Sequence, residues 1–123
     1  MRESGMIRVR RALGAMKQAE MARLAATRRA SNAALSEARD LRQSSASQPA
    51  RVTAADMLAT SQWQVHAEAK ARLADQRAKQ IAHAAKPLEQ ALARTIGREA
   101  VVERVIEDYQ TKHKQVLARR TEG

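Results

Sequence analysis

Phenylalanine and cysteine are absent from this 123-residue chain, and Trp63 and Tyr109 are its only aromatic residues of the Phe/Trp/Tyr type, 2% of the total. A globular core of such a length normally draws on several aromatics, because each buries a large area. A compact layered domain is therefore not expected. Without cysteine there is no disulfide and no thiolate metal site, and the composition fits a reducing cytoplasm. Four glycines and two prolines leave few places to turn. No run of roughly 18 apolar residues occurs, so no membrane span is expected. The opening residues, Met1 to Ile7, lack the apolar segment of a secretory signal, so export by a cleaved signal peptide is not expected.

What the chain has instead is alanine, its commonest residue, together with 29% charged residues. An Ala/Leu/Glu/Lys/Arg/Gln-rich chain with helical periodicity points to long helices or a coiled coil. The longest stretch runs from Thr53 to Arg120. It opens on Thr53-Ala54-Ala55-Asp56, a capping-box pattern in which the hydroxyl accepts a first-turn N–H and the acid reaches back. Apolar residues then recur at helical spacing: Leu58, Val65, Leu73, Ile81, Leu88 and Leu92, followed by Ile96, Val102, Ile106, Tyr109 and Val116. At 1.5 Å of rise per residue such a helix is on the order of 100 Å long, which predicts a rod.

A first helix is predicted over about residues 6–42, with Val9, Leu13, Met16, Leu24, Leu35 and Leu41 as its larger apolar positions. Leu13, Leu24 and Leu35 stand eleven apart, about 3.67 residues per turn, which predicts a nearly straight or slightly right-handed pairing. Residues 43–52 break the pattern. Ser44, Ser45 and Ser47 compete with helical hydrogen bonding, and Pro49 disfavours helix at the residue before it. Two long helices joined by a short polar loop fold back as an antiparallel hairpin. The predicted fold is all-α: an antiparallel two-helix coiled-coil hairpin, one domain over 1–123, with unequal arms and a second helix over about 53–120.

Two consequences of that fold can be tested. Folding back near Ser47 sets Met6 opposite roughly residue 88 to 90, so about 30 residues of the second helix, on the order of 45 Å, overhang. That overhang carries the richest apolar seam, and uncovered apolar surface marks an interaction site. Pro87 removes one hydrogen bond and crowds the preceding turn. Its neighbours Ala84, Ala85, Leu88 and Glu89 all favour helix, so a kinked but continuous helix is expected. A true turn there is the alternative, and would close a three-helix bundle over about 6–42, 53–85 and 88–118.

No catalytic constellation is present, and the chain is not expected to be an enzyme or to hold a cofactor. His66, His83 and His113 are too far apart to share a metal on one helix. Glu99, Glu103 and Glu107 recur every four residues and read as a solvated stripe balanced by Arg104 and Lys112. Trp63 reads as a half-buried packing residue on the flank of the seam. The charge is more telling. A formal net charge of +10 and a sequence pI near 11.2 call for an acidic partner: nucleic acid, an anionic membrane or an acidic protein cavity. Nucleic-acid binders focus their charge and interleave aromatic or amide readers. Here the charge is diffuse, in Arg8-Arg10-Arg11, Arg28-Arg29, Arg77-Lys79, Lys112-Lys114 and Arg119-Arg120. A protein partner is therefore favoured over nucleic acid.

The first arm, with Leu13-Gly-Ala-Met-Lys-Gln-Ala-Glu-Met-Ala-Arg-Leu-Ala-Ala-Thr, and the stretch from Leu92 to Lys114, with Arg98-Glu99-Ala-Val-Val-Glu103-Arg-Val-Ile-Glu107, resemble the opening and closing helices of the FliJ family. These are the soluble stalk components of the flagellar type III export apparatus, similar also to the stalk proteins of injectisomes. The resemblance covers nearly the whole chain and implies a non-enzymatic role at the cytoplasmic face of the inner membrane. It implies a hairpin whose open end enters a hexameric export ATPase and promotes ring assembly, with links to the export gate and to export chaperones. On that resemblance Arg8, Arg10, Arg11, Lys112, Lys114, Arg119 and Arg120 face the ATPase pore; Val102, Ile106, Tyr109 and Val116, on the overhanging seam, are the apolar positions expected to meet a partner. The alternative from the residues alone is a basic homo-oligomeric coiled coil that binds nucleic acid or anionic membrane.

Overall fold

A computed structural model describes residues 3–46 and 53–122. Two α-helices account for nearly all of them: α1 (Glu3–Ala46), 44 residues, and α2 (Ala54–Glu122), 69 residues. They pack against each other as a two-helix hairpin with the longer helix second, and no strand occurs among the described residues. Contacts group into two units, residues 1–23 with 87–123 and residues 24–86.

The start of α2 follows from its sequence. Thr53 Oγ1 accepts the Asp56 N–H at 3.1 Å, which satisfies one of the orphan donors of the first turn, and the Thr53 carbonyl accepts the Met57 N–H at 3.0 Å, the first bond of the helical ladder. Gln43, Ser44, Ser45 and Ala46 are helical, so α1 outlasts its predicted end at residue 42. Ser45 falls four residues after Leu41 on the half-buried face, and packing there outweighs serine's weak propensity. The rest of the expected loop, residues 47–52, lies outside the described residues. α2 passes through Pro87 unbroken, which removes the three-helix alternative. Pro87 is exposed, so the carbonyl it leaves unpaired one turn earlier is on the hydrated side, while Ala85 and Leu88 stay on the packed face.

In the unit formed by residues 24–86, the least exposed positions of α1 are Leu24, Thr27, Ser31, Ala34, Ala38, Leu41 and Ser45. On α2 the buried positions begin at Ala67 and continue through Ala71, Ala74, Ala78 and Ala85, with Ile81 half-buried among them and Asp56 and Thr60 half-buried before them. Both series alternate steps of three and four, the coiled-coil period of 3.5. Ala38, Ala71 and Ala74 form the core cluster, with Leu41 against it. Side chains this small let two helices approach closely, and the Ser31 hydroxyl donates to the Ala78 carbonyl at 3.2 Å across the gap. Arg42 spans to Glu68 at 3.2 Å and to Asp75 at 2.8 Å, and Arg77 reaches Glu37 at 3.8 Å. The Arg42 hydrogen bond holds the Glu68 carboxyl below the usual carboxylate range, and the two acids raise the Arg42 guanidinium further still.

This pattern corrects the eleven-residue reading. Leu13 and Leu24 are buried, but Leu35 is 45% exposed, so the eleven-residue row leaves the buried face at its last step, and a 3.5-residue seam favours left-handed crossing. Leu58, Val65 and Leu73 are likewise exposed, and Ile96 in the other unit as well. The seam is filled by alanine in their place. Trp63 is partly exposed, 6.2 Å between ring centroids from His66, beside a shallow depression that Leu41 and Ser44 also line.

Candidate partner-binding end

The unit built from residues 1–23 and 87–123 contains all the positions expected to meet a partner. Its register is set by cross-helix polar contacts. Gln110 donates to Glu3 at 3.4 Å, Arg10 meets Glu103 at 3.4 Å, Lys17 meets Glu99 at 2.7 Å, and the Thr95 hydroxyl lies 2.6 Å from Glu20 Oε1. Met6 is thus near residue 106, not residue 88 to 90, and the overhang is about half the predicted one. The slip has a local cause. α2 runs from Ala54 to His66 before its first buried position, Ala67, so the arms pair later along α2 than a tight fold-back predicts.

The same alternation of three and four continues here. Glu3, Met6, Arg10, Leu13, Lys17 and Glu20 line one side, and Leu88, Leu92, Thr95, Glu99, Val102 and Ile106 the other. The middle of this seam is polar. Thr95 is only 2% exposed, and its hydroxyl has one proton to share between Glu20 Oε1 and the Ala91 carbonyl at 3.1 Å. The charged acceptor is the closer and makes the stronger bond. Glu20 Oε2 is buried with no hydrogen-bond partner. Glu99 and Glu103, expected to lie on a solvated stripe, instead bridge to Lys17 and Arg10 on α1. Nothing in their spacing of four distinguishes the two roles.

The expected site residues separate into three groups. Ile106 is 3% exposed and Val102 half-buried, so the hairpin itself covers much of the apolar surface assigned to a partner. Arg10 is committed to Glu103, whereas Arg8 and Arg11 are exposed on the adjoining turns. From Glu107 to Glu122 every residue of α2 is exposed. This final segment is about 24 Å long. Tyr109, Lys112, Lys114, Val116, Arg119 and Arg120 all lie on it. The Tyr109 ring stacks on His113, 6.2 Å between centroids and 5° from parallel. Tyr109 lies level with the Gln110–Glu3 contact, and His113 and Val116 continue the three-four alternation beyond Glu3, the first described residue of α1, so among the described residues the seam outruns its partner. Between Tyr109 and Thr121 the charged side chains are Lys112, Lys114, Arg119 and Arg120, all cationic at neutral pH.

Among the described residues no group of three or more His, Cys, Asp or Glu is placed to hold a metal ion. No helix among the described residues is long and apolar enough to cross a membrane. What this end offers is a single, uncovered, basic helix terminus beside the start of α1. The interior polar layer and a lateral groove lined by Arg94 and Arg98 escaped the sequence reading. Both become legible only once the phase of the seam is known. Compared with protein-family models, with curated proteins and with solved structures, the chain matches none of them.

Proposed function

We propose that this chain is a non-enzymatic stalk or adaptor of a type III protein export apparatus of the flagellar kind. In that role it engages the hexameric export ATPase through its open end and links it to the export gate and to export chaperones. The observation that carries the reading is the end of α2 from Thr111 to Thr121, which runs on past the Gln110–Glu3 contact with no α1 residue opposite it among the described residues, and whose charged side chains are the four cations Lys112, Lys114, Arg119 and Arg120. A bare helix with clustered positive charge suits insertion into an acidic cavity, where low-dielectric walls strengthen the attraction. Arg8 and Arg11 on the adjoining start of α1 extend the same basic end.

The test is a purified hexamer-forming export ATPase titrated with the full chain. Stimulated ATP hydrolysis and ring assembly are expected, both lost when Lys112, Lys114, Arg119 and Arg120 are replaced by glutamate. An indifferent ATPase, together with tight binding of DNA or acidic vesicles that falls steeply with salt, refutes the reading.

A further inference from the structure

A shallow apolar groove runs along one flank of the residue 1–23 and 87–123 unit, apart from the terminal segment of α2. Val9 and Leu13 of α1 form one wall, Val101 and Val102 of α2 the other, and Arg94 and Arg98 stand on the α2 rim. Gly97 also lines it, and a Cβ added there would meet no atom within 4 Å, so the floor is open at that point. The groove is extended by exposed apolar residues on both sides, Met16 on α1 and Val105 on α2, and Val101 is 64% exposed.

Charge is distributed one-sidedly around it. Along α1, the row Gly5, Val9, Ala12, Met16 and Ala19 recurs at steps of four and three and contains no charge. On α2 the rim cations Arg94 and Arg98 make no ion pair among the described residues, while the neighbouring acids Glu99 and Glu103 are taken up by Lys17 and Arg10. Asp108 follows Val101 by seven residues, on the same face but beyond the lining. An apolar trough between two parallel ridges is the geometry that receives a third helix.

We propose that this groove docks an amphipathic helix of a partner protein, one whose apolar seam is flanked by aspartate or glutamate. A second copy of the chain is a poor occupant: face-to-face pairing of two such grooves sets Arg94 and Arg98 against their own counterparts, and like charges in juxtaposition suppress a pairing. An acidic flank on the incoming helix pairs with both arginines, while its apolar residues cover Val9, Val101 and Val105. The proposal concerns this flank only and does not depend on the export role.

The experiment uses the full chain and three helical peptides of about 20 residues that share one leucine seam and carry glutamate, glutamine or lysine on its flanks. The glutamate peptide binds about tenfold tighter than the glutamine peptide and the lysine peptide does not bind, as electrostatic complementarity requires. Arg94→Glu with Arg98→Glu inverts that order. Gly97→Leu fills the open floor and weakens the glutamate peptide about tenfold, with the helical circular dichroism retained because its Cβ meets no atom within 4 Å and leucine favours helix over glycine. Equal binding of the three peptides, or indifference to Gly97→Leu, overturns the proposal. So does a dimer in sedimentation that Gly97→Leu abolishes, since the groove would then be a self-interface.

Discussion

Replacing Thr95 by valine removes one hydroxyl from an otherwise closed seam and leaves the shape nearly unchanged. Glu20 then has no hydrogen bond for Oε1 and, already, none for Oε2. Losing a charge-assisted bond to a buried acceptor costs about 1.5–3 kcal/mol. Glu20→Leu acts differently: the freed Thr95 hydroxyl turns to the Ala91 carbonyl 3.1 Å away, so no donor is stranded and the cost is small. The double variant Glu20→Leu with Thr95→Val replaces both polar groups by apolar ones and comes out neutral or up to about 2 kcal/mol more stable than the wild type, because no buried polar atom remains. The single costs therefore do not add, and the coupling is at least about 1.5 kcal/mol, roughly a tenfold change in the folding equilibrium. Urea unfolding followed at 222 nm measures all four proteins. A Thr95→Val change that is silent, or a double variant as destabilised as the two singles summed, refutes the polar-layer argument. The double variant is also expected to lose register, since buried polar contacts single out one alignment of two apolar seams. Added oligomers in sedimentation register that loss.

Three further outcomes follow from burial and charge. Leu24→Ala, at 5% exposure, costs about 2–4 kcal/mol, whereas Leu35→Ala, at 45%, stays within about 0.5 kcal/mol; equal costs in thermal or urea unfolding would restore the eleven-residue face. Gly97→Ala stabilises the protein by about 0.5–1 kcal/mol in urea unfolding, because the new methyl meets no atom and the unfolded chain loses freedom. Glu68 has a folded-state pKa below its ordinary value of 4.5, so its contribution is present above that pH and is lost as acid takes the carboxyl through its folded value. Glu68→Gln is then expected to flatten the fall in unfolding midpoint below about pH 4.5, and an unchanged acid limb counts against the Arg42 pairing.

Much of the architecture is legible along the chain. Missing aromatics, plentiful alanine and the Thr53 cap are local facts, and each acts within a turn or two of where it is written. They suffice for two helices, for the longer one being second, and for the start of α2 at the Thr53 cap. Helix propensity around Pro87 also carries, because Ala84, Ala85 and Leu88 keep their backbone bonds whatever lies opposite. The basic residues of the terminal segment are visible too, and their exposure follows from a helix that outlasts its partner.

Which face is buried could not be read in the same way, and the reason is alanine. It favours helix at every position, so its presence at Ala67, Ala71, Ala74 and Ala78 does not single out a seam, while Leu35, Val65 and Leu73 attract attention from the flanks. Periods of 3.5 and 3.67 residues differ by only a few degrees per residue, too little to separate over the few large side chains present. Register is the second decision that belongs to tertiary structure. It is set where Lys17 meets Glu99 and Glu20 meets Thr95, residues far apart along the chain whose side chains have no local reason to choose one another. Composition and local propensity determine that there are two helices and where the second begins. Only their packing decides which stripe is hidden, how far α2 runs on alone, and that Arg94 and Arg98 border a groove.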